Sequence, residues 1–128
     1  MKDFRTLKVW EKAHTLTLAI YKATEKFPKQ ELYALTNQIQ RAAVSVPTNI
    51  AEGCGKDSDA ELKRYFVIAM GSSSELEYLL LLARDLKYLP EDSHQILNSD
   101  LIEVRRMFYS FIQKLKASTS PHALIANS

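Results

Sequence analysis

Apolar residues recur along this chain at steps of three and four, and the breaks in that rhythm divide it into four segments. Leu7, Trp10, Ala13, Leu16, Ile20, Ala23 and Phe27 make one stripe on a helix, which Pro28 ends. Leu32, Leu35, Ile39, Ala42, Val46, Ile50 and Gly53 make a second stripe that continues through Pro47. A proline there removes a backbone donor and crowds the carbonyl of Ala43, so a kinked helix is expected rather than two helices. Ser58-Asp-Ala-Glu61 has the serine and glutamate of a capping box and starts a third helix. Its main face is Leu62, Phe66, Ala69, Ser73, Leu76, Leu80 and Ala83, and Leu89-Pro90 makes the next break. Leu97, Leu101, Val104, Phe108, Phe111 and Leu115 then alternate steps of four and three, the spacing of left-handed bundle packing.

The pattern predicts an all-α protein, an antiparallel up-down-up-down four-helix bundle with its second helix kinked at Pro47. Connections this short make sequence neighbours run in opposite directions. One domain is expected over residues 1–117, with helices at about 6–27, 30–54, 59–88 and 91–117. Residues 118–128, which open on Ser-Thr-Ser-Pro and carry no Lys, Arg, Asp or Glu, read as a disordered tail. A chain of 128 residues is large enough for one core, and 3 Gly and 4 Pro are too few turn signals for a multi-stranded sheet.

Leu79 to Leu82 cannot all enter that core, because successive helical residues point about 100° apart. With the core direction through Leu76, Leu80 and Ala83, a second stripe of Val67, Met70, Ser74, Tyr78 and Leu81 lies opposite. A continuous apolar face of this kind marks an interface, and Val67, Met70, Tyr78 and Leu81 are the expected oligomer contacts.

Charge adds a local feature only. The net charge is +2, yet residues 1–30 hold seven Lys/Arg against three Asp/Glu. Basic residues beside aromatic ones are suited to phosphate contact and base stacking: Arg5, Lys8 and Lys12 near Phe4, Lys63 and Arg64 near Tyr65, Arg105 and Arg106 near Tyr109, with Lys56 in the loop. A ring would repeat each modest patch around its axis. A polar stripe on the second helix predicts an inter-helix cluster of Arg41, Asn49, Glu52, Ser72 and Glu75, with an Arg41–Glu75 ion pair at its centre.

Catalytic and metal chemistry fit the pattern poorly. Glu11…His14 and Glu91…His94 have the spacing of di-iron bundle ligands, and Glu52 and Glu75 could complete a set. On the folded-back chain, however, Glu91 lies about 18 Å from the level of Glu75. No metal, no cofactor and no enzymatic role are expected, and both histidines read as solvent-facing. Cys54, the single cysteine, has no histidine partner in pattern and reads as structural. It calls for no oxidising compartment, and the longest apolar run, Tyr78 to Ala83, is too short to span a bilayer, so a cytoplasmic protein is expected.

Several of these segments together resemble a known family. Phe4-x-x-Leu7-x-Val9-Trp10-x-x-Ala13, Phe27-Pro28, Gln40-Arg41-Ala-Ala-Val-Ser45-Val-Pro-Thr-Asn49-Ile-Ala-Glu52-Gly53 and Ala69-Met-Gly71-Ser72-x-x-Glu75-Leu-Glu77 are similar to the 23S rRNA intervening-sequence protein family. The resemblance implies a bacterial four-helix bundle that forms a ring, with a pentamer favoured. It is also similar to the accessory protein of diversity-generating retroelements, whose basic ring binds nucleic acid and a reverse transcriptase. Asn49, Glu52, Gly71, Ser72 and Glu75 occupy the signature positions; Lys56 stands where arginine is usual, keeping the charge and losing bidentate phosphate geometry. The expected function is a non-enzymatic homo-oligomer that binds RNA or DNA through phosphate. The alternative is a structural or protein-interaction module serving a protein partner.

Overall fold

In the computed structural model, residues 2–119 are described and all regular structure among them is helical: α1 (Lys8–Thr24), α2 (Leu35–Cys54), α3 (Asp59–Asp85) and α4 (Glu91–Thr119). Two single 3-10 turns, Phe4–Thr6 and Lys29–Glu31, precede α1 and α2. Each helix backbone approaches two others closely, α2 and α3 most extensively, while those of α1 and α3 and of α2 and α4 stay further apart across the bundle. Gly53 lies against Leu62 and Tyr65 while Ser45 meets Ser72; Gln40 bonds Thr24 while Ala43 bonds Thr17. Ile20, Ile39, Ile50, Phe66, Leu76, Leu80, Leu101 and Phe108 are fully enclosed, with Phe66 edge-on to Phe108 and stacked on Phe111 at 4.7 Å.

The helix ends differ from expectation where local backbone chemistry intervenes. α1 begins at Lys8 because Asp3 caps the preceding 3-10 turn, accepting from the Arg5 amide at 3.0 Å, and Leu7 is extended. It stops at Thr24, yet Phe27 stays buried beyond the helix end, its ring tilted 5.9 Å from Tyr88. α2 begins at Leu35 rather than near residue 30. Pro28 is extended and opens the 3-10 turn, and Ala34 (φ −123°, ψ −106°) breaks the path into the helix. Leu32, the first member of the expected core stripe, is consequently 51% exposed. α3 stops at Asp85, not Tyr88, because Lys87 turns left-handed (φ 68°). The Tyr88 amide then reaches back to the Ala83 carbonyl at 3.0 Å, the i+5 bond of a Schellman ending. α4 takes in residues 118 and 119; the remainder of the expected tail, 120–128, lies outside the described residues.

α2 is unbroken through Pro47, which is itself buried. The Ala43 carbonyl, which receives no amide from position 47, lies 3.2 Å from the hydroxyl of Thr17 on α1. The same hydroxyl is 2.8 Å from the Ala13 carbonyl, so its single proton is shared between the two helices. At the proline, α1 therefore contributes the hydrogen bond that α2 cannot make for itself. Thr17→Val keeps the shape and removes the proton, leaving a buried carbonyl unsatisfied. Urea denaturation should register a loss of about 1–3 kcal/mol, and an unchanged midpoint would contradict this role for Thr17.

Candidate nucleic-acid interface

Three contacts gather the basic residues. The Lys2 amide donates to the Cys54 carbonyl at 2.8 Å, Gly53 seats against Tyr65, and Phe66 stacks on Phe111. The start of α1, the α2–α3 connection and the second half of α4 thereby share one end of the bundle. That end carries Lys2, Arg5, Lys8, Lys12, Lys56, Lys63, Arg64, Arg106, Lys114 and Lys116 against Asp3, Glu11, Glu52, Asp57, Asp59 and Glu61. Glu103 joins that end through its bond to Lys12, Arg105 is taken up by Glu77 of α3, and the six remaining Lys/Arg stand with eight Asp/Glu, Glu77 among them, over the rest of the bundle. The chain's small net charge thus conceals a lengthwise separation, positive at one end and negative at the other.

The eight basic residues singled out by the sequence fall into distinct surroundings. Lys56 and Arg64 bracket Tyr65, with the Lys56 ammonium 5.2 Å and the Arg64 guanidinium 4.7 Å from its ring centre, and Arg64 also bonds Glu61 at 3.3 Å. Lys63, half-buried, lines a shallow depression with Arg64, Val67 and Ile68. Arg5 lies over Phe4 and pairs with Asp3 at 3.4 Å, and Lys12 ties α1 to α4 through Glu103 at 3.3 Å. Exposed pairs such as these contribute about 0–1 kcal/mol, so a phosphate can displace the carboxylate. Arg105 is engaged differently: it bonds Glu77 at 2.6 Å in a half-buried bridge between α4 and α3, which removes it from the basic end. Lys8 and Arg106 are exposed, form no ion pair among the described residues, and both line a groove between α1 and α4. Lys114 joins them there. Sequence reasoning passed over Lys114, although Arg106, Ser110 and Lys114 follow one another at steps of four on α4.

The expected polar cluster forms only in part. Ser45 and Ser72 are hydrogen-bonded at 2.8 Å across α2 and α3, and the Asn49 amide donates to both the carbonyl and the hydroxyl of Ser45. Arg41, Glu52 and Glu75 are exposed, and the Arg41–Glu75 ion pair is not formed. The seam is closed by small hydroxyls, and the charged ends stay in water, where a surface pair gains little.

On the outer face of α3, Val67 is 51% exposed, Tyr78 59% and Leu81 37%, with Ile68 beside them at 42%. Met70 departs from the stripe and packs half-buried against the core. Gly71 lies on the exposed face, and a Cβ added there would meet nothing within 4 Å. The most apolar stretch of α3 is apolar enough for a membrane span, while only 39% of that stretch is buried in the bundle.

Burial pushes the Cys54 thiol above its ordinary pKa, with Lys2 pulling in the opposite direction, so the thiol is not poised as a nucleophile. His14 is exposed and stacks flat on Trp10 at 4.9 Å. His94, by contrast, is 7% exposed: the turn of α4 that follows Pro90 directs it inward rather than to solvent. Among the described residues no three His, Cys, Asp or Glu side chains are grouped as metal ligands.

A solved structure of a protein of unknown function from the S23 ribosomal protein family of Bacteroides thetaiotaomicron superposes with a TM-score of 0.73 at 26% identity, covering 81% of this chain and 97% of that one. Against curated proteins the chain finds no match. The family model described as 23S rRNA-intervening sequence protein matches residues 5–110, which takes in α1, α2, α3 and most of α4. With its four helices and the Asn-Ile-Ala-Glu-Gly and Gly-Ser-x-x-Glu segments in place on α2 and α3, the chain belongs to the 23S rRNA-intervening sequence protein family.

Proposed function

We propose that the chain is one subunit of a non-enzymatic, cytoplasmic homo-oligomer that binds nucleic acid, RNA foremost, through phosphate contacts at its basic end. The observation that carries this reading is the charge separation along the bundle, with Tyr65 bracketed by Lys56 and Arg64 at the positive end. Cations interleaved with an aromatic ring suit a polyanion whose bases can stack. The family description refers to 23S rRNA, which favours RNA over DNA. An antiparallel up-down-up-down course is supported by contacts that climb one helix as they descend the next, as Gly53 with Leu62 and Ser45 with Ser72 do. A kink at Pro47 is supported by the backbone bond that the proline removes.

Assembly is supported by α3. Val67, Ile68, Tyr78 and Leu81 leave an apolar strip on the side of α3 that the bundle does not cover, and a strip of this kind is suited to an interface. Glu75 and Glu77 near its middle make lipid a costly cover. A second copy of the chain fits better, and the family resemblance favours a pentamer. Gly71 agrees: a glycine in a helix interior forgoes about 1 kcal/mol relative to alanine, and in a lone bundle its open surroundings give nothing back. Another chain passing close to its backbone would account for it.

Two outcomes are expected. Affinity for a single-stranded RNA should fall steeply as salt rises, and Lys56→Ala should flatten the log–log slope by about 0.7. Absence of binding at low salt would remove the nucleic-acid reading and leave the structural or protein-interaction module. In equilibrium denaturation, Gly71→Ala should destabilise the assembled protein, because its methyl group intrudes between subunits; stabilisation by about 1 kcal/mol would contradict a contact at Gly71.

A further inference from the structure

The groove between the start of α1 and the second half of α4 combines a cationic rim with an apolar floor. Its volume is about 350 Å³, near the lower end of the range for sites that hold one small ligand, roughly 300–1,000 Å³. Leu7, Val9, Met107 and Phe111 give it an apolar floor, and Lys8, Arg106 and Lys114 stand around it. Its single acid, Glu103, is already bonded to Lys12 at 3.3 Å. Leu7 caps α1 without a side-chain hydrogen bond, and the amides of Lys8 and Val9 in the first helical turn have no acceptor among the described residues. The rim therefore offers three cations and a positive helix end to an anion, while the floor offers an apolar bed to whatever the anion is attached to.

We infer that this groove holds one unpaired nucleotide of a bound strand, its base on Met107 and Phe111 and its phosphate among Lys8, Arg106 and Lys114. The inference rests on the nucleic-acid reading above and adds to it a preference for single strands. A paired base is stacked between its neighbours and cannot reach the apolar floor, whereas an unpaired one can turn out and lie on it. Phe111 is already stacked on Phe66, so the bed is held rigid from below. Ser110, exposed on the rim, bears a hydroxyl that forms no hydrogen bond among the described residues and can meet a base edge or a ribose. Arg106 and Ser110 also line a second depression, on the other side of α4, walled by Tyr109. The neighbouring nucleotide of the same strand has a ring to stack on there.

The experiment uses the full chain, a short RNA labelled with a fluorescent base, and the same RNA annealed to its complement. Single strand should bind about tenfold more tightly than duplex at equal salt. Lys8→Ala and Lys114→Ala should weaken both forms, whereas Met107→Ser should weaken only the single strand, by about tenfold, and Met107→Leu should restore it. Equal affinity for the two forms with Met107→Ser inert would overturn the groove assignment and leave the phosphate reading standing. No binding of either form at low salt would remove both. A medium-chain fatty carboxylate that binds the groove without displacing RNA would also overturn the assignment.

Discussion

The close approach of α2 and α3 at Gly53 is the constraint on which the basic end depends. A Cβ at that position would stand 3.0 Å from the Cβ of Tyr65 and 3.2 Å from the Leu62 carbonyl, neither of which is the free end of a flexible side chain. Glycine lets the two backbones close there, and the closure presses Tyr65 against the end of α2, where Lys56 and Arg64 flank its ring. Further along the same seam, Ser45 and Ser72 replace bulk with a hydrogen bond and hold the spacing. α1 is joined to this pair by the Thr17 hydroxyl, which serves the carbonyl that Pro47 leaves without a partner. Gly53, Ser45 and Ser72 thus act first on the distance between α2 and α3, and through distance on where the cations stand.

The helical stripes were legible because burial repeats them. From Leu35 to Gly53 and from Leu62 to Ala83, every apolar position expected in the core is buried. The misjudged residues lie where one local event overrides the period. Leu32 continues the stripe of α2 in sequence, but Ala34 breaks the backbone before the helix begins. Lys87 ends α3 by adopting a left-handed conformation that no glycine announces. At the candidate site, identity was easier to read than engagement. Arg105 and Lys12 are basic wherever they stand, but only the packed structure reveals that Glu77 and Glu103 are within reach. The Arg41–Glu75 pair failed for the converse reason: level on the bundle does not bring two solvated side chains together.

α3 gives the molecule its unusual character. Its inner face is consumed by the bundle, and its outer face sets Val67, Tyr78 and Leu81 in the open beside Gly71. If that face is shared between copies, the positive ends of neighbouring bundles stand side by side. Modest charge per chain then becomes a continuous track for a polyanion, through repetition rather than through a high density of lysine and arginine in any one subunit.

The central claim is that the outer face of α3 is an interface between copies, and the mass of the protein in solution tests it most directly. Sedimentation equilibrium at micromolar concentration should return a multiple of the 14.6 kDa chain, about five-fold if the assembly is a pentamer. A mass of 14.6 kDa across the accessible concentration range would contradict the account, because Val67, Tyr78 and Leu81 would then remain open to water.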